Sequence, residues 1–275
     1  MGVVASRDFV INKLTELETR AQKKFGQNFL IRDEMALGIV KHLTVEKGDH
    51  IIEIGPGLGA LTNHLKEYEN EITLFDIDPI MIDHLTKYFS YHKNVHPVLQ
   101  DILKADLDSY TGNVRIIGNL PYYITTPILE KVICSKANII QCVMMIQQEV
   151  MERLLAEPGD PAYGPLSIML SYVGKVNKLI RVGSWNFYPA PNIDSEVFEI
   201  IFKKDLDRNN VKPLFNIVNS LFLMRRKTIL NNLTSLIHDK EKALDILKAC
   251  NINEKTRPEQ LKLQDYLNIQ KQINA

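Results

Sequence analysis

The sequence predicts an α/β fold: a mostly parallel, doubly wound sheet over residues 1–205, then a small all-α domain over 206–275. Three observations predict it. Five apolar, β-branched runs alternate with helical segments, the pattern of strands joined by crossover helices. A glycine-rich turn follows the first run, and an acid stands 21 residues after its first glycine. Beyond residue 211 the strand pattern stops and only short amphipathic helices follow.

The 275 residues, 45% of them hydrophobic, are enough to bury a sizeable core. No segment approaches the length of a membrane span. Three cysteines (Cys134, Cys142, Cys250) without Cys-x-x-Cys spacing argue for a reducing compartment and against zinc, so no metal is expected. Met1-Gly2-Val3-Val4-Ala5-Ser6 fits a myristoylation pattern, but no polybasic tract follows it and no anchor is expected. Asp8, Glu16 and Glu18 are wrong for a signal or transit peptide, which leaves the cytoplasm as the expected location. The formal net charge is zero. Its distribution is uneven: 204–275 carry 13 Lys/Arg against 8 Asp/Glu, the remainder 20 against 25. A polyanion facing the C-terminal part fits that asymmetry.

Taken in order, residues 8–20 read as an amphipathic helix with Phe9, Leu14 and Leu17 near one face. Lys23 to Leu30 is a basic, aromatic, glycine-containing loop before a helix at 33–43. It is either a linker or a flap whose Asn28 touches a ligand while Lys23 and Lys24 meet phosphates. His50–Gly55 is a strand, Pro56-Gly57-Leu58-Gly59-Ala60 a turn, and Leu61–Glu67 a helix. Gly55, Gly57 and Gly59 let the backbone turn sharply and a ligand approach it closely. The next strand, Ile72–Phe75, ends at Asp76, where an acid can meet a ribose hydroxyl. A nucleoside-bearing cofactor follows.

Gly55-x-Gly57-x-x-Ala60 also satisfies the dinucleotide fingerprint, so an NAD enzyme competes. Glu53 tips the choice. A carboxylate two residues before the first glycine would repel a pyrophosphate. It suits a cofactor carrying an ammonium and a sulfonium, as S-adenosylmethionine does. The alternative for Glu53 is a helix-capping or buried-network acid.

The strand Val95–Leu99 ends in Gln100-Asp101-Ile102. Asp101 can accept from an adenine amine while Ile102 packs on the ring, or Asp101 can simply cap the next turn. Val114–Gly118 then delivers Asn119-Leu120-Pro121-Tyr122. Proline ends the strand, so the tetrapeptide sits at its C-terminal edge, where open α/β sheets bind ligands. The Asn119 side-chain oxygen and the Leu120 carbonyl are two acceptors for a two-hydrogen amine such as N6 of adenine. Tyr122 offers a ring to stack on the base. The bland alternative is a strand-ending turn.

A helix from Thr125–Thr126 to Ile133 precedes the fifth run, Ile139–Ile146; a helix over 147–156 and another ending near Val173 follow. Lys178–Val182 and Val197–Phe202 are further strands. Between them Pro189 and Pro191 stiffen a loop that either presents Phe187 opposite Tyr122 or plugs the core with it. In the helical tail, Arg225-Arg226-Lys227 is either a solvated helix face or a phosphate contact.

Together these pieces resemble the ribosomal RNA adenine N6-dimethyltransferases, within the class I methyltransferases, from about Ala21 to about Leu267. The resemblance rests on an ordered set: Phe25–Leu30, Glu53–Gly59, Gln100-Asp101, Asn119–Tyr122, Gln148–Val150, Tyr163-Gly164, Phe187-x-Pro189-x-Pro191 with Asp194-Ser195, and Arg225–Lys227. The bacterial enzyme of small-subunit ribosomal RNA is the most similar member. The resemblance implies a Rossmann-like seven-stranded sheet and S-adenosylmethionine as donor, with S-adenosylhomocysteine as product. It implies two adjacent adenosines near the 3′ end of small-subunit (16S) RNA as targets, reached in the immature subunit by a monomeric protein. Asn28, Leu30, Gly55, Asp76, Asp101 and Asn119 would touch the cofactor, with Gln27, Glu53, Gly57, Ile77 and Ile102 beside them. Lys23, Lys24, Arg225, Arg226 and Lys227 would bind RNA. Asp76 stands where the family usually has Glu, Ala190 where proline is usual, and Pro165 is atypical beside Tyr163-Gly164.

The expected reaction is in-line displacement without a general base, with Asn119, Leu120, Pro121, Tyr122 and Phe187 around the reacting amine. Two rivals stay within the superfamily: an enzyme of large-subunit RNA of the macrolide-resistance type, and a non-catalytic assembly or transcription factor.

Overall fold

The computed structural model describes residues 4–22 and 25–274, and its contacts group the chain into two units: Met1–Gln148 with Val176–Lys204, and Glu149–Lys175 with Asp205–Ala275. The expected single boundary near 205 marks the last of three crossings between the units. The segment 149–175 instead groups with the C-terminal helices.

The first unit contains α1 (Arg7–Glu16), β1 (Phe29–Leu30), α2 (Asp33–Val40), β2 (His50–Ile54), α3 (Thr62–Leu65), β3 (Ile72–Asp76), α4 (Pro79–Tyr88) and β4 (Val95–Leu99). β5 (Asn113–Asn119), α5 (Thr125–Cys134) and β6 (Asn138–Gln147) continue it. In the second unit lie α6 (Gln148–Leu154, from its second residue) and α7 (Pro165–Val173). β7 (Gly174–Val182), β8 (Phe187–Tyr188) and β9 (Ser195–Phe202) complete the strands. α8 (Arg208–Phe222), α9 (Ile229–Ile237), α10 (Lys240–Ala249) and α11 (Leu263–Ile273) end the chain.

Seven strands form one sheet in the order β4-β3-β2-β5-β6-β9-β7. β4, β3, β2, β5 and β6 run parallel, and β9 pairs antiparallel with β6. The order reverses between β2 and β5, so the crevice at their C-terminal ends is the switch point where doubly wound sheets bind ligands. Four of the five residues of β2 are buried, as a central strand of a parallel sheet requires. Gly118 lets β5 close on β2: a Cβ there would stand 2.5 Å from the Ile54 carbonyl oxygen. Beneath the sheet, Asp49 and Arg115 form a buried ion pair, and Arg115 Nη1 donates to Gln141 Oε1 at 2.9 Å.

A second, two-stranded sheet, absent from the expected elements, pairs β1 with β8 antiparallel, Phe29 opposite Tyr188 and Leu30 opposite Phe187. It turns two segments read as loops into a ladder that fixes the residues before β1.

The second unit buries Val211, Leu214, Val218 and Leu221 of α8 with Ile229, Leu247, Tyr266 and Ile269. Helix α7 joins it through α8 and α11. Tyr163 is 4% exposed and donates its hydroxyl to the Leu261 carbonyl at 3.1 Å, tying the 158–164 loop to the turn before α11. No helix is long and apolar enough to cross a membrane among the described residues.

Candidate active site

Four of the five parallel strands, β2, β3, β4 and β5, end at one cleft, and each contributes what its last residues carry. β2 leads into the glycine turn. Gly55 has φ +69° and Gly57 φ +54°, the left-handed region that favours glycine. A Cβ at Gly57 would press to 3.1 Å on the Phe29 ring, and one at Gly55 would stand 3.3 Å from the Asn119 carbonyl oxygen. The turn is thus pinned between β1 and the end of β5.

Glu53 lines the cleft, is 1% exposed, and accepts from the Thr62 hydroxyl at 2.6 Å. Burial pushes its carboxyl up to about 8, a pull that the Thr62 bond offsets only in part. The buried-network alternative therefore describes one of its oxygens, while the side chain still faces the cavity. Asp76, at the end of β3, is raised to about 6 by burial against opposing bonds from the Asp78 and Gly57 amides. These bonds measure 2.9 Å and 3.3 Å. Asp101 Oδ1 accepts from the Leu103 amide at 2.9 Å, so the capping alternative holds for that oxygen. Ile77 and Ile102 line the same wall.

Asn119 closes the far side. Its amide nitrogen donates to the Asn28 carbonyl at 3.0 Å, which leaves Oδ1 as the amide's remaining acceptor. Asn28 itself donates to the Gly26 carbonyl at 3.1 Å. Leu120, Pro121 and Tyr122 line the cleft beside it. The Leu120 amide donates to the Met145 carbonyl at 3.1 Å, anchoring the tetrapeptide to β6. The Tyr122 hydroxyl lies 2.9 Å from Ser195 Oγ, and burial raises its pKa.

The cleft gathers all eleven residues expected around a cofactor: Gln27, Asn28, Leu30, Glu53, Gly55, Gly57, Asp76, Ile77, Asp101, Ile102 and Asn119. One expectation needs correction, and one of the eleven side chains is engaged within the protein at both ends of its amide. Gln27 lines the cavity, but its Oε1 accepts from the Gln22 amide at 2.9 Å and its Nε2 donates to Asp78 Oδ2 at 2.8 Å. The side chain latches the 25–30 segment to the start of α4. Phe187 does not reach the cavity wall: it is 2% exposed and packs in the core with Leu30, Ile39 and Val182, because its strand pairs with β1.

Lys23 and Lys24, like Met1–Val3, lie outside the described residues. Arg225, Arg226 and Lys227 are exposed on the turn between α8 and α9 of the second unit, where Arg225 Nη2 donates to the Pro161 carbonyl at 2.6 Å. Among the described residues, no cluster of His, Cys, Asp and Glu is placed to hold a metal.

Sequence reasoning missed Asp78, Thr62 and Tyr123. Asp78 was legible: an acid before Pro79 at a helix start is a capping signal, and its Oδ1 accepts from the Ile80 amide at 3.0 Å. Thr62 carries no local signal for a bond to a residue nine positions earlier. Tyr123, 55% exposed, packs on Gly26, which nothing in its own neighbourhood announces.

This sheet order with an antiparallel β9, the glycine turn and the Asn-Leu-Pro-Tyr rim define a class I methyltransferase. The family model described as ribosomal RNA adenine dimethylase matches residues 18–275. A protein from Macrococcus caseolyticus named ribosomal RNA small subunit methyltransferase A is 37% identical over 89% of this chain and 87% of its own. One of the same name from Fusobacterium nucleatum is 37% identical over 92% and 97%. A crystal structure of a dimethyladenosine transferase from Plasmodium falciparum superposes with TM-score 0.76 at 26% identity, covering 89% of this chain and 97% of that one. The chain belongs to the ribosomal RNA adenine dimethylases and is an enzyme of the methyltransferase class.

Proposed function

We propose that the chain transfers methyl groups from S-adenosylmethionine to N6 of two adjacent adenosines near the 3′ end of small-subunit ribosomal RNA. The product is N6,N6-dimethyladenosine, made in the cytoplasm by a monomeric enzyme during assembly of the small subunit. The observation that carries the reading is the fixed amide of Asn119, a cleft-lining residue beside Leu120 that keeps Oδ1 as its remaining acceptor.

The cleft's own residues fit the donor. Gly55 and Gly57 take the left-handed backbone that turns the chain along the cleft wall, where a Cβ would press on the Asn119 carbonyl or the Phe29 ring. Glu53 would face the donor's ammonium, Asp76 its ribose hydroxyls, and Asp101 with Ile102 its adenine. When bound, the donor supplies an electrophilic methyl on a sulfonium.

The target amine is a weak nucleophile because its lone pair is delocalised into the purine ring. Asn119 Oδ1 and the Leu120 carbonyl would accept its two hydrogens, favouring a pyramidal nitrogen whose lone pair points into the cleft. Pro121, which the sheet ladder cannot use, holds these two acceptors at the strand's end. Tyr122, oriented by Ser195, would stack on the base. After one transfer a single N–H remains, so the base must turn before the second. Arg225, Arg226 and Lys227 would meet RNA phosphates, as would Lys23 and Lys24.

The test uses purified protein, labelled S-adenosylmethionine, small subunits lacking the modification and, in a parallel reaction, large-subunit RNA. Primer-extension stops at two adjacent adenosines near the 3′ end are expected. Label confined to large-subunit RNA, or to monomethylated bases, would overturn the proposal.

A further inference from the structure

The chain's single tryptophan, Trp185, is 65% exposed, a poor position for the largest apolar side chain unless it meets something. It is not a loosely held surface ring. It sits on a short 3₁₀ turn, Ser184–Asn186, whose preceding residue, Gly183, leaves the room its indole occupies. A Cβ on Gly183 would stand 2.9 Å from Trp185 Cδ1. The Ser184 amide donates to Asp194 Oδ1 at 3.0 Å, and the Asn186 amide donates to the Gly183 carbonyl at 3.0 Å. The turn holding the ring is thus fixed at both ends. The guanidinium of Arg32, itself exposed, lies 5.5 Å from the indole centroid.

The location of this pair gives it a meaning. The small β1–β8 ladder sets Leu30 opposite Phe187, and the Ile31 amide donates to the Asn186 carbonyl at 2.9 Å. One more step in that register sets Arg32 opposite Trp185. In the other direction the same strand reaches Asn28, whose carbonyl holds the Asn119 amide. The four steps from Asn28 to Arg32 span about 13 Å at about 3.3 Å each. One rigid ribbon therefore carries the support of the proposed reacting centre at one end and an exposed aromatic–cation pair at the other. That separation is a few nucleotides of a strand rising about 3.4 Å per stacked base.

We infer that Trp185 and Arg32 form a stacking platform for a nucleobase of single-stranded RNA flanking the target adenosine. The inference rests on the proposed function and adds a substrate subsite to it. Trp185 supplies the π surface, which accepts any base, and Arg32 the positive charge that a neighbouring phosphate requires. The platform would hold the strand in register while the adenosine turns between its two methylations.

Because the chain has one tryptophan, fluorescence excited selectively at tryptophan, to the red of tyrosine absorption, reports this surface alone. The probes are an adenosine-containing RNA octanucleotide and an abasic octamer of equal charge, each titrated into the full-length protein with S-adenosylhomocysteine present. The octanucleotide is expected to quench Trp185, and the abasic octamer to leave it unchanged. Trp185→Ala should raise KM for RNA about 5- to 150-fold, the range that stacking of about 1–3 kcal/mol per base implies. Its kcat and its cofactor affinity should stay within about twofold. Trp185→Tyr should recover most of the loss, which a role in folding alone would not explain, and Arg32→Gln should reduce the salt dependence of KM. Equal quenching by both octamers, or an unchanged KM in Trp185→Ala, overturns the platform while methylation of the RNA leaves the proposed function standing. Quenching by whole subunits but by neither oligomer would mean that this surface meets protein, and would equally overturn it. No methyl transfer to any RNA by the wild-type protein would instead refute the underlying reading.

Discussion

Replacing Glu53 with glutamine probes the cleft's most unusual group. The carboxyl is 1% exposed and pushed up to about 8 from the ordinary glutamate value of 4.5. A carboxyl whose folded value lies above its unfolded value holds its proton more tightly in the folded chain. Stability therefore falls as pH rises from about 4.5 to about 8 and is level outside that window. Each unit of separation is worth about 1.4 kcal/mol, so the full effect is capped near ~5 kcal/mol. At about 2 °C per kcal/mol in a chain of this size, that is on the order of 10 °C in Tm. Glutamine keeps an acceptor for the Thr62 hydroxyl and never ionises. Asp76, raised to about 6, acts in the same direction in both proteins, so the difference above pH 6 isolates Glu53. Thermal melts of ligand-free wild type and Glu53→Gln from pH 5 to 9 should show the variant gaining up to pH 8, then a constant gap. Calorimetric titration with S-adenosylhomocysteine should also show proton release at pH 7 in the wild type and less in the variant. Parallel melting curves would refute the argument, because they would mean that Glu53 is ionised in water-like surroundings.

Asn119→Ala removes both the acceptor and the tie to Asn28, and kcat for methyl transfer should fall about 10²- to 10³-fold, as when one preorganised hydrogen-bond group is lost. Binding of S-adenosylhomocysteine should change little, and near-wild-type turnover in single-turnover assays would reject the proposed role. Phe187→Ala empties a packed core site and should cost about 3–5 kcal/mol in urea melts. Phe187→Leu keeps most of that packing and should leave both KM for RNA and cofactor affinity near wild type, as a core residue requires; a raised KM for RNA alone would count against the core assignment. Asp49→Ala leaves Arg115 buried without its carboxylate and should cost about 3–5 kcal/mol at pH 7. Burial raises the Asp49 pKa, but the Arg115, Glu46 and Asn113 hydrogen bonds outweigh it and the net shift is downward. The ionised form is thus the one folding favours, and its contribution is present above about 3.8 and lost as pH falls through the folded value. Denaturation at pH 3 should therefore show a smaller gap between the two proteins than at pH 7, and an equal gap would exclude the ion pair as the cause.

What the sequence by itself determined was the order of strands and what each carries at its end. Alternation of apolar runs with helices, glycines where φ is positive, and proline after Asn119-Leu120 are local constraints, written in neighbouring residues. They sufficed to place eleven expected cofactor residues around one cleft. Only the tertiary structure decided how those residues are engaged. Gln27 is bound to Asp78, Glu53 to Thr62 and Asn119 to Asn28, across 51, 9 and 91 positions. No periodicity encodes such pairings. The same holds for Phe187 and Trp185, two residues apart, one in the core and one in solvent. Their fates follow from the antiparallel pairing of β8 with β1, whose register depends on a strand some 150 residues away in sequence. Short-range sterics fix where the chain turns and what each strand end offers, whereas burial and long-range hydrogen bonding assign which of those groups remain able to act.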